Sequence, residues 1–448
     1  MKVALFVHCF FPEHFYGTET YTLELARNLQ ALGHDVTVVT AVFPGEPRHP
    51  ALVTRYVHDG VPVVAFDKNH LPHRSVRETY WHEDMRAPLR AVLRELDCDV
   101  VHVTHLINHT AVLVEEAKAL GLPVVATLTD FFGFCYTNKL EAADGTLCAG
   151  PDALRVNCIA CHLKAHAAAS HAGAAARRWT APALLPWTAR ALRLAAALRL
   201  PWRPDLRAAV EALAERPATL ARAYARYDAM IAPTQFLRDA YVRNGFAPER
   251  LHLSRFGVDI DRAAKPARDP AAPLVVGYAG QIAPHKGVEL LVGAARTLAP
   301  GCVRLKIHGP ETQDPAYMQR LRALAGPETE FLGTFAPERM AEIMRGLDLL
   351  AIPSTWYENS PLVLLYALAT HTPVVVADVQ GLTEFVTPGR NGWSFARGDG
   401  AALAALLGRL AAEPARVRAA SATTAYERTT RTMAAEVAEL YARVTARR

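Results

Sequence analysis

A chain of 448 residues with 51% hydrophobic content is too long for one core and long enough for two. No stretch offers the ~18 uninterrupted apolar residues of a membrane-spanning helix. The net charge of +5 is regional, because His171 to Arg226 hold ten arginines against three acidic residues. Seven cysteines, an odd number without a dense framework, predict a reducing compartment and a cytoplasmic location.

The first elements follow from periodicity. Lys2 to Cys9 reads as a buried strand; a run from Val3 to Phe11 imitates a short signal peptide, but no small-residue cleavage site follows it. Tyr21, Leu25, Leu29 and Leu32 recur at helical spacing, Gly33 stops that helix, and Asp35 to Thr40 is the next strand. The loop PEHFYGTET joins strand to helix, and Gly17 and Thr18 at its end are candidate cleft-loop residues, with an ordinary turn as the other reading. Strands follow at Val61 to Phe66, Val100 to Thr104 and Val124 to Leu128, with helices at about Asp84 to Leu96 and Ala111 to Leu120. Such alternation predicts a parallel sheet, and ligands sit at the carboxyl ends of its strands. His105, Thr129 and Asp130 gather there, with a structural histidine at a strand end as the other reading of His105.

Four cysteines then form the pattern C-x12-C-x9-C-x2-C at Cys135, Cys148, Cys158 and Cys161. Four thiolates can complete a tetrahedral zinc site and C-x2-C is a usual half-site. With one such pair present, the spacing admits a structural zinc and equally a disulfide or free thiols. From Ala172 to Arg226 the chain is rich in Ala, Arg and Leu, carries Trp179, Trp187 and Trp202, and is broken by Pro182, Pro186, Pro201 and Pro204. Trp187, Ala191, Leu194 and Leu198 make one helical face, with Arg193 and Arg199 off it. That pattern suits contact with an anionic membrane, and it also suits a helical insertion packed on the first domain with its arginines solvated. The basic excess lies outside the cysteine segment, which speaks against a zinc-ribbon nucleic-acid module, so no nucleic acid is expected.

Asp228 to Pro233 is a strand, Thr234 to Asn244 a helix, and Leu251 to Phe256 a strand ending at Gly257-Val258-Asp259. Asp261 to Pro273 is a proline and alanine linker without periodicity. Beyond it Leu274 to Ala279 is a strand followed by Gly280, Gln281 and a loop closing at Lys286-Gly287, where one ammonium can sit over a diphosphate, a solvated loop lysine being the other reading. Val303 to His308 ends at Gly309, and Glu330 to Leu332 ends at Gly333. The stretch PSTWYENSPLVLLY, Pro353 to Tyr366, then joins a buried strand to a helix, with Pro361 suited to that helix's first position. Free N–H groups at a helix start form an anion site. Glu358, Asn359 and Ser360 stand just ahead of it, and a carboxylate there accepts hydrogen bonds from hydroxyls, so a ligand carrying phosphates and hydroxyls fits best.

These motifs resemble the retaining glycosyltransferases of family 4 (glycosyl transferases group 1), a subgroup of which also looks similar from Asp130 to Cys161. In that family a Glu-x7-Glu pair binds the donor; Glu358 matches the first and Tyr366 stands where the second would be. Members have Arg and Lys on the diphosphate where this chain has Gln281 and Lys286, His-Asp where it has Thr129 and Asp130, and often two glycines where it has Tyr16 and Gly17. The resemblance implies the α/β GT-B fold, two Rossmann-like parallel-sheet domains facing across a cleft. The acceptor domain spans 1–262 with its cysteine cluster and insertion, the linker 263–273, the donor domain 274–425, and a C-terminal helix at 426–448 crosses back.

It further implies transfer of a sugar from a nucleotide-diphosphate donor to a glycan or lipid-linked saccharide, without a catalytic metal. Glu358, Lys286, Asp130 and His105 would be catalytic, and Gly280, Gln281, Lys286, Gly309, Gly333, Glu358, Asn359, Ser360, Pro361, Leu362 and Tyr366 would bind the donor. The enzyme would be cytoplasmic, peripheral on the inner membrane face. An epimerase or hydrolase of the same fold would share the diphosphate site. A degenerate, non-catalytic nucleotide-sugar-binding subunit would account for Gln281, Thr129 and Tyr366 together.

Overall fold

The computed structural model describes residues 1–169, 181, 183–266, 269 and 271–446; Trp179 and Pro182 of the basic stretch lie outside them. The chain divides into two compact units, one of Met1–Ser254 with Met433–Arg448 and one of Arg255–Thr432.

The first unit is built on an eight-stranded sheet. In chain order it holds β1 (Lys2–Phe6), α1 (Gly17–Ala31), β2 (Asp35–Val42), β3 (Val53–His58), β4 (Val61–Asp67), α2 (Arg86–Leu96), β5 (Val100–Val103) and α3 (Val112–Ala119). There follow β6 (Val124–Thr127), α4 (Val156–Ala169), α5 (Leu185–Ala197), α6 (Pro204–Tyr224), β7 (Ala229–Ala232), α7 (Gln235–Arg243) and β8 (Leu251–Leu253). The spatial order is β3-β4-β2-β1-β5-β6-β7-β8, parallel except for β3 against β4. Strands buried on both faces are mostly apolar, and β5, β6 and β7 are buried at every residue, with His102 and Thr127 as buried polar residues that hydrogen-bond to each other. The edge strand β3 is half-exposed and alternates, which is why its residues gave no apolar run to read. Near the C-terminus the Tyr441 hydroxyl lies 2.5 Å from His102 Nδ1 on β5.

The second unit carries β9 (Leu274–Ala279), α8 (Val288–Arg296), β10 (Val303–His308), α9 (Pro315–Leu324), β11 (Thr329–Phe331), α10 (Met340–Arg345) and β12 (Leu349–Ile352). Then come α11 (Leu362–Ala369), β13 (Val374–Ala377), β14 (Gly392–Phe395), α12 (Gly400–Ala412), α13 (Pro414–Thr423) and the start of α14 (Thr430–Thr445), whose later turns belong with the first unit. Its six strands, all parallel, lie in the order β11-β10-β9-β12-β13-β14.

In each sheet the chain starts at a central strand, builds to one side, then returns and builds to the other. The switch falls between β1 and β5 in the first sheet and between β9 and β12 in the second. Loops leaving neighbouring strands at such a point diverge and leave a crevice. Gly257-Val258 goes with the second unit: the Val258 N–H bonds to the Arg428 carbonyl at 3.0 Å, and a side chain at Gly257 would collide with the Thr429 carbonyl.

Two local readings change. Pro361 is not the first helical residue: its ψ of 125° is extended, and α11 starts at Leu362. Gly17, by contrast, is already the first residue of α1 after Tyr16. Pro201 lies in the non-helical gap between α5 and α6, whereas Pro204 opens α6 where its missing N–H is harmless, and that helix runs on through Pro217 to Tyr224.

Candidate functional site

The loops after β9 and β12 meet at the switch of the second sheet. The Thr355 N–H bonds to the His285 carbonyl at 2.9 Å, and Gly287, at φ +69°, sits so close to the Pro353 carbonyl that no side chain fits. This brings Lys286 Nζ to 2.7 Å from Glu358 Oε1. Ser354 Oγ donates to the same oxygen at 2.5 Å and Trp356 Nε1 at 3.0 Å, and the ammonium lies 4.9 Å from the Trp356 ring. Glu358 is buried, and burial alone would raise its pKa. The Lys286 charge and the hydrogen bonds from Lys286, Ser354 and Trp356 outweigh that and hold the carboxyl below 4.5. Gly381, at φ +85°, packs on the backbone carbonyl of Glu358 from the loop after β13 and closes its cage.

Ser360 follows at φ +55°, a costly conformation for a residue with a side chain. Its Oγ is buried with no hydrogen-bond partner among the described residues. Asn359, Pro361 and Leu362 are half-buried beside it, at the start of α11 where backbone N–H groups are free of the helix. Half-buried Tyr366 lies one turn on from Leu362 along the same face.

On the other side of β9, the Gly280 N–H bonds to the His308 carbonyl and Gly309 N–H to the Gly333 carbonyl, so the ends of β9, β10 and β11 are tied in a row. Gly309 lies against the Gly280 carbonyl with no room for a Cβ. The Gln281 amide donates to Gln313 Oε1 at 3.2 Å. Apart from Gly280, Gln281, Gly309 and Gly333, the predicted donor residues therefore cluster on the loop of β12, with Lys286 reaching in from β9.

The first sheet has an equivalent cluster at its own switch. His105 Nδ1 accepts the Ile107 N–H at 3.1 Å, which leaves the proton on Nε2; that atom stands 3.0 Å from Asp130 Oδ2, near enough to pair but off hydrogen-bonding line. Asp130 Oδ1 accepts the Phe132 N–H, and Thr129 Oγ1 donates to the Thr104 carbonyl, a structural bond. The His8 ring lies 4.2 Å from that of His105. His8, Cys9 and Glu19 bring one ligand-type atom each within 4.8 Å of one another, a trio that sequence spacing did not reveal because it joins the end of β1 to α1. Burial, then the neighbouring histidines, pushes the His8 pKa well below 6.5, and burial with the Glu19 carboxylate pushes the Cys9 thiol up. Gly17 is exposed and Thr18 half-buried beside this cluster.

The cysteine segment lies against the helical insertion. Cys135 and Cys158 are buried, Cys148 and Cys161 half-buried, and all are unbridged. The insertion has its own small core, where Val156, Ile159 and Leu163 of α4 meet Leu185, Ala189 and Ala196 of α5 and Val210 and Leu213 of α6. Among the described residues the opposite stripe, Trp187 and Leu194 of α5 with Leu198 just after it, has no such cover: Trp187 is 65% exposed, Leu194 60% and Leu198 61%, with Arg190 stacked 5.2 Å from the Trp187 ring. No helix among the described residues is long and apolar enough to cross a membrane.

Two family models match this chain, the glycosyl transferase 4-like domain over residues 16–145 and glycosyl transferases group 1 over residues 273–413. Among curated relatives, a D-inositol 3-phosphate glycosyltransferase of Rhodococcus opacus (strain B4) is 32% identical over 217 residues, 44% of this chain and 48% of that protein. A GDP-mannose-dependent alpha-mannosyltransferase of Mycobacterium tuberculosis (strain CDC 1551 / Oshkosh) is 26% identical over 88% of this chain and 83% of its own length. The chain spans about half the length, or less, of the inositol-phosphate glycosyltransferases it matches.

Among solved structures, Anabaena Alr3699/HepE in complex with UDP and glucose superposes with a TM-score of 0.64 at 17% identity, covering 99% of both chains. The sucrose-phosphate synthase tll1590 from Thermosynechococcus elongatus superposes with a TM-score of 0.64 at 18% identity, over 100% of this chain and 99% of its own. With both family models matched in order and the two parallel sheets in place, the chain belongs to glycosyltransferase family 4, the glycosyl transferases group 1, and has the GT-B fold.

Proposed function

We propose that this protein transfers a sugar from a nucleotide-diphosphate donor to a hydroxyl of a glycan or lipid-linked saccharide, with retention at the anomeric carbon. The observation that carries the reading is the Lys286–Glu358 contact beside the start of α11, with the unpartnered Ser360 hydroxyl next to it. An ammonium, a helix N-terminus and a hydroxyl donor suit a diphosphate, while a carboxylate fixed through one oxygen suits sugar hydroxyls. The names of two similar proteins agree in kind: one is GDP-mannose-dependent, the other holds UDP and glucose.

In this reading the bond from the anomeric carbon to the diphosphate breaks as the acceptor oxygen attacks from the same face, and the acceptor proton passes to the departing phosphate oxygen. No protein base is needed. Lys286 and the α11 N–H groups stabilise the charge that grows on the diphosphate, and Glu358 holds the donor sugar. Gly280, Gln281, Gly309 and Gly333 shape the floor at the strand ends, and Asn359, Pro361, Leu362 and Tyr366 line the helix start. His105 and Asp130 orient an acceptor hydroxyl, with Gly17 and Thr18 in the adjoining loop. Incubation with a panel of nucleotide sugars, with and without saccharide acceptors, tests this: a new acceptor-linked product supports it, and free sugar or an epimerised nucleotide sugar overturns it.

The acceptor side includes a peripheral contact with an anionic membrane on its cytoplasmic face, through the exposed stripe Trp187, Ala191, Leu194 and Leu198 of α5. An exposed apolar stripe flanked by arginines gains both apolar burial and attraction to anionic headgroups. Flotation with vesicles containing phosphatidylglycerol tests it, and equal recovery with and without anionic lipid removes the electrostatic part.

A further inference from the structure

Four thiols stand apart from both strand-end clusters. Cys135 closes the turn that starts at Asp130, Cys148 follows the small hairpin bridged at Glu141 and Leu147, and Cys158 and Cys161 lie three residues apart near the start of α4. Cys158 and Cys161 each lie within electrostatic reach of Cys135 and of another member, Cys148 lies within reach of Cys135, and Cys161 Sγ stands 3.8 Å from the Glu141 carbonyl at the base of the hairpin, so distant parts of the chain converge on one place. Cys148 Sγ receives two N–H groups, from Gly150 at 3.4 Å and Asn157 Nδ2 at 3.6 Å.

The second observation is Arg216. Its guanidinium is 3% exposed, donates through Nη2 to the Phe132 carbonyl at 2.8 Å, and lies 4.9 Å from the Phe132 ring. Its Nη1 has no partner among the described residues. The charge it feels most is that of Cys135, followed by Tyr224, Cys158 and Asp130. A buried cation without a bonded carboxylate is costly unless an anion lies close. Four thiolates on a divalent ion carry a net double negative charge, and Arg216 would offset half of it.

We propose that Cys135, Cys148, Cys158 and Cys161 bind one structural zinc ion, with Arg216 as its buried counter-ion. Four soft sulfur ligands fill the tetrahedral shell and leave no open position, so the ion ties rather than reacts. No three of these thiols meet the mutual 4.8 Å spacing that His8, Cys9 and Glu19 do. Zinc–sulfur bonds of about 2.3 Å require sulfurs ~3.8 Å apart, so binding draws the loops together. Gly145 and Gly150, at φ +86° and +128°, flank Cys148 and give its loop that freedom. The ion would clamp the turn from Asp130 to Cys135 onto α4 and so fix the carboxylate that faces His105.

The full chain, purified without chelator, is assayed for metals and by intact mass. About one zinc per chain is expected, retained in Cys302→Ser and lost in the double variant Cys158→Ser/Cys161→Ser. Arg216→Met should weaken zinc retention against a competing chelator by about 10- to 100-fold, the usual effect of a group behind the ligands. Should the double variant not fold, cobalt exchange into the unaltered protein decides: an intense thiolate-to-cobalt charge-transfer band with tetrahedral d–d absorption supports the site. Zinc near zero with reactive thiols, the mass loss of a disulfide, iron with inorganic sulfide, or cobalt bound without the thiolate band overturns it.

Discussion

Lys286 and Glu358, 72 residues apart in the chain, share a 2.7 Å hydrogen bond, and the carboxylate oxygen that accepts it takes two further donors from Ser354 and Trp356. The pair is inside the fold: Glu358 is buried and the Lys286 side chain is 21% exposed. Neither residue is a free loop side chain. Removing one partner leaves a buried group with its charge uncompensated, so function and stability change together.

The first prediction separates those two effects. Lys286→Ala should lower kcat/KM for transfer by about 10²- to 10³-fold, the cost of one electrostatic donor to developing charge. It should also lower Tm, because Glu358 is stranded. Adding Glu358→Gln should restore Tm without restoring activity. A double-mutant cycle in thermal unfolding should give a coupling of about 1–3 kcal/mol; strictly additive Tm changes would show that the contact does not matter to stability.

The pH dependence follows from the lowered Glu358 pKa. A carboxyl held below its ordinary 4.5 in the folded state contributes stability that is fully present above 4.5 and is lost as pH falls through the folded value. The unaltered protein should therefore lose its stability margin over Glu358→Gln as pH falls below 4.5 through the folded value, and not on the alkaline side. Parallel Tm curves across that range would contradict the assignment of charge to Glu358.

Glycine positions give a steric prediction. Gly381 and Gly389 have similar positive φ, +85° and +75°, so alanine is strained at both. At Gly389 nothing lies within 4 Å of the added carbon, whereas at Gly381 it would overlap the Glu358 carbonyl. Gly389→Ala should cost about 1 kcal/mol from strain alone. Gly381→Ala should cost more and depress transfer, since the loop carrying Glu358 has to move. Equal kinetics in the two variants would refute the caging role.

Tyr366 tests the missing second carboxylate. It lies on the face of α11 that starts at Leu362, where a glutamate could meet ribose hydroxyls. Tyr366→Glu should tighten nucleoside diphosphate binding by about tenfold, the worth of one charge-assisted hydrogen bond. Calorimetric titration reads this directly, and weaker binding would mean that the tyrosine already makes the contact.

The α5 stripe predicts a separable membrane phenotype. Trp187→Glu with Leu194→Glu and Leu198→Glu changes three side chains that are each at least 60% exposed, so Tm should move little. Recovery with anionic vesicles should fall several-fold while turnover of a water-soluble acceptor is kept. Unchanged flotation would assign the stripe to some other neighbour.

The sequence by itself determined the local grammar. Buried parallel strands are mostly apolar and amphipathic helices repeat every three to four residues, so β1, β2, β4–β7 and β9, and the strand-to-helix turn at Pro353–Leu362, were legible from their own residues. The half-exposed β3 and the Pro217-bearing α6 were not, because an alternating edge strand and a proline-containing helix lack those local marks. Lys286 and Glu358 could each be named as candidates from a loop and its flanking elements. That they touch was decided by strand order, which places β9 beside β12.

The same holds for His8 against His105 across β1 and β5, for the burial of Arg216 against Phe132, and for which stripe of α5 is covered. Each depends on which distant segments become neighbours. Pairing between strands and burial between layers are set by the free energy of the whole assembly, and no window of the chain contains that information.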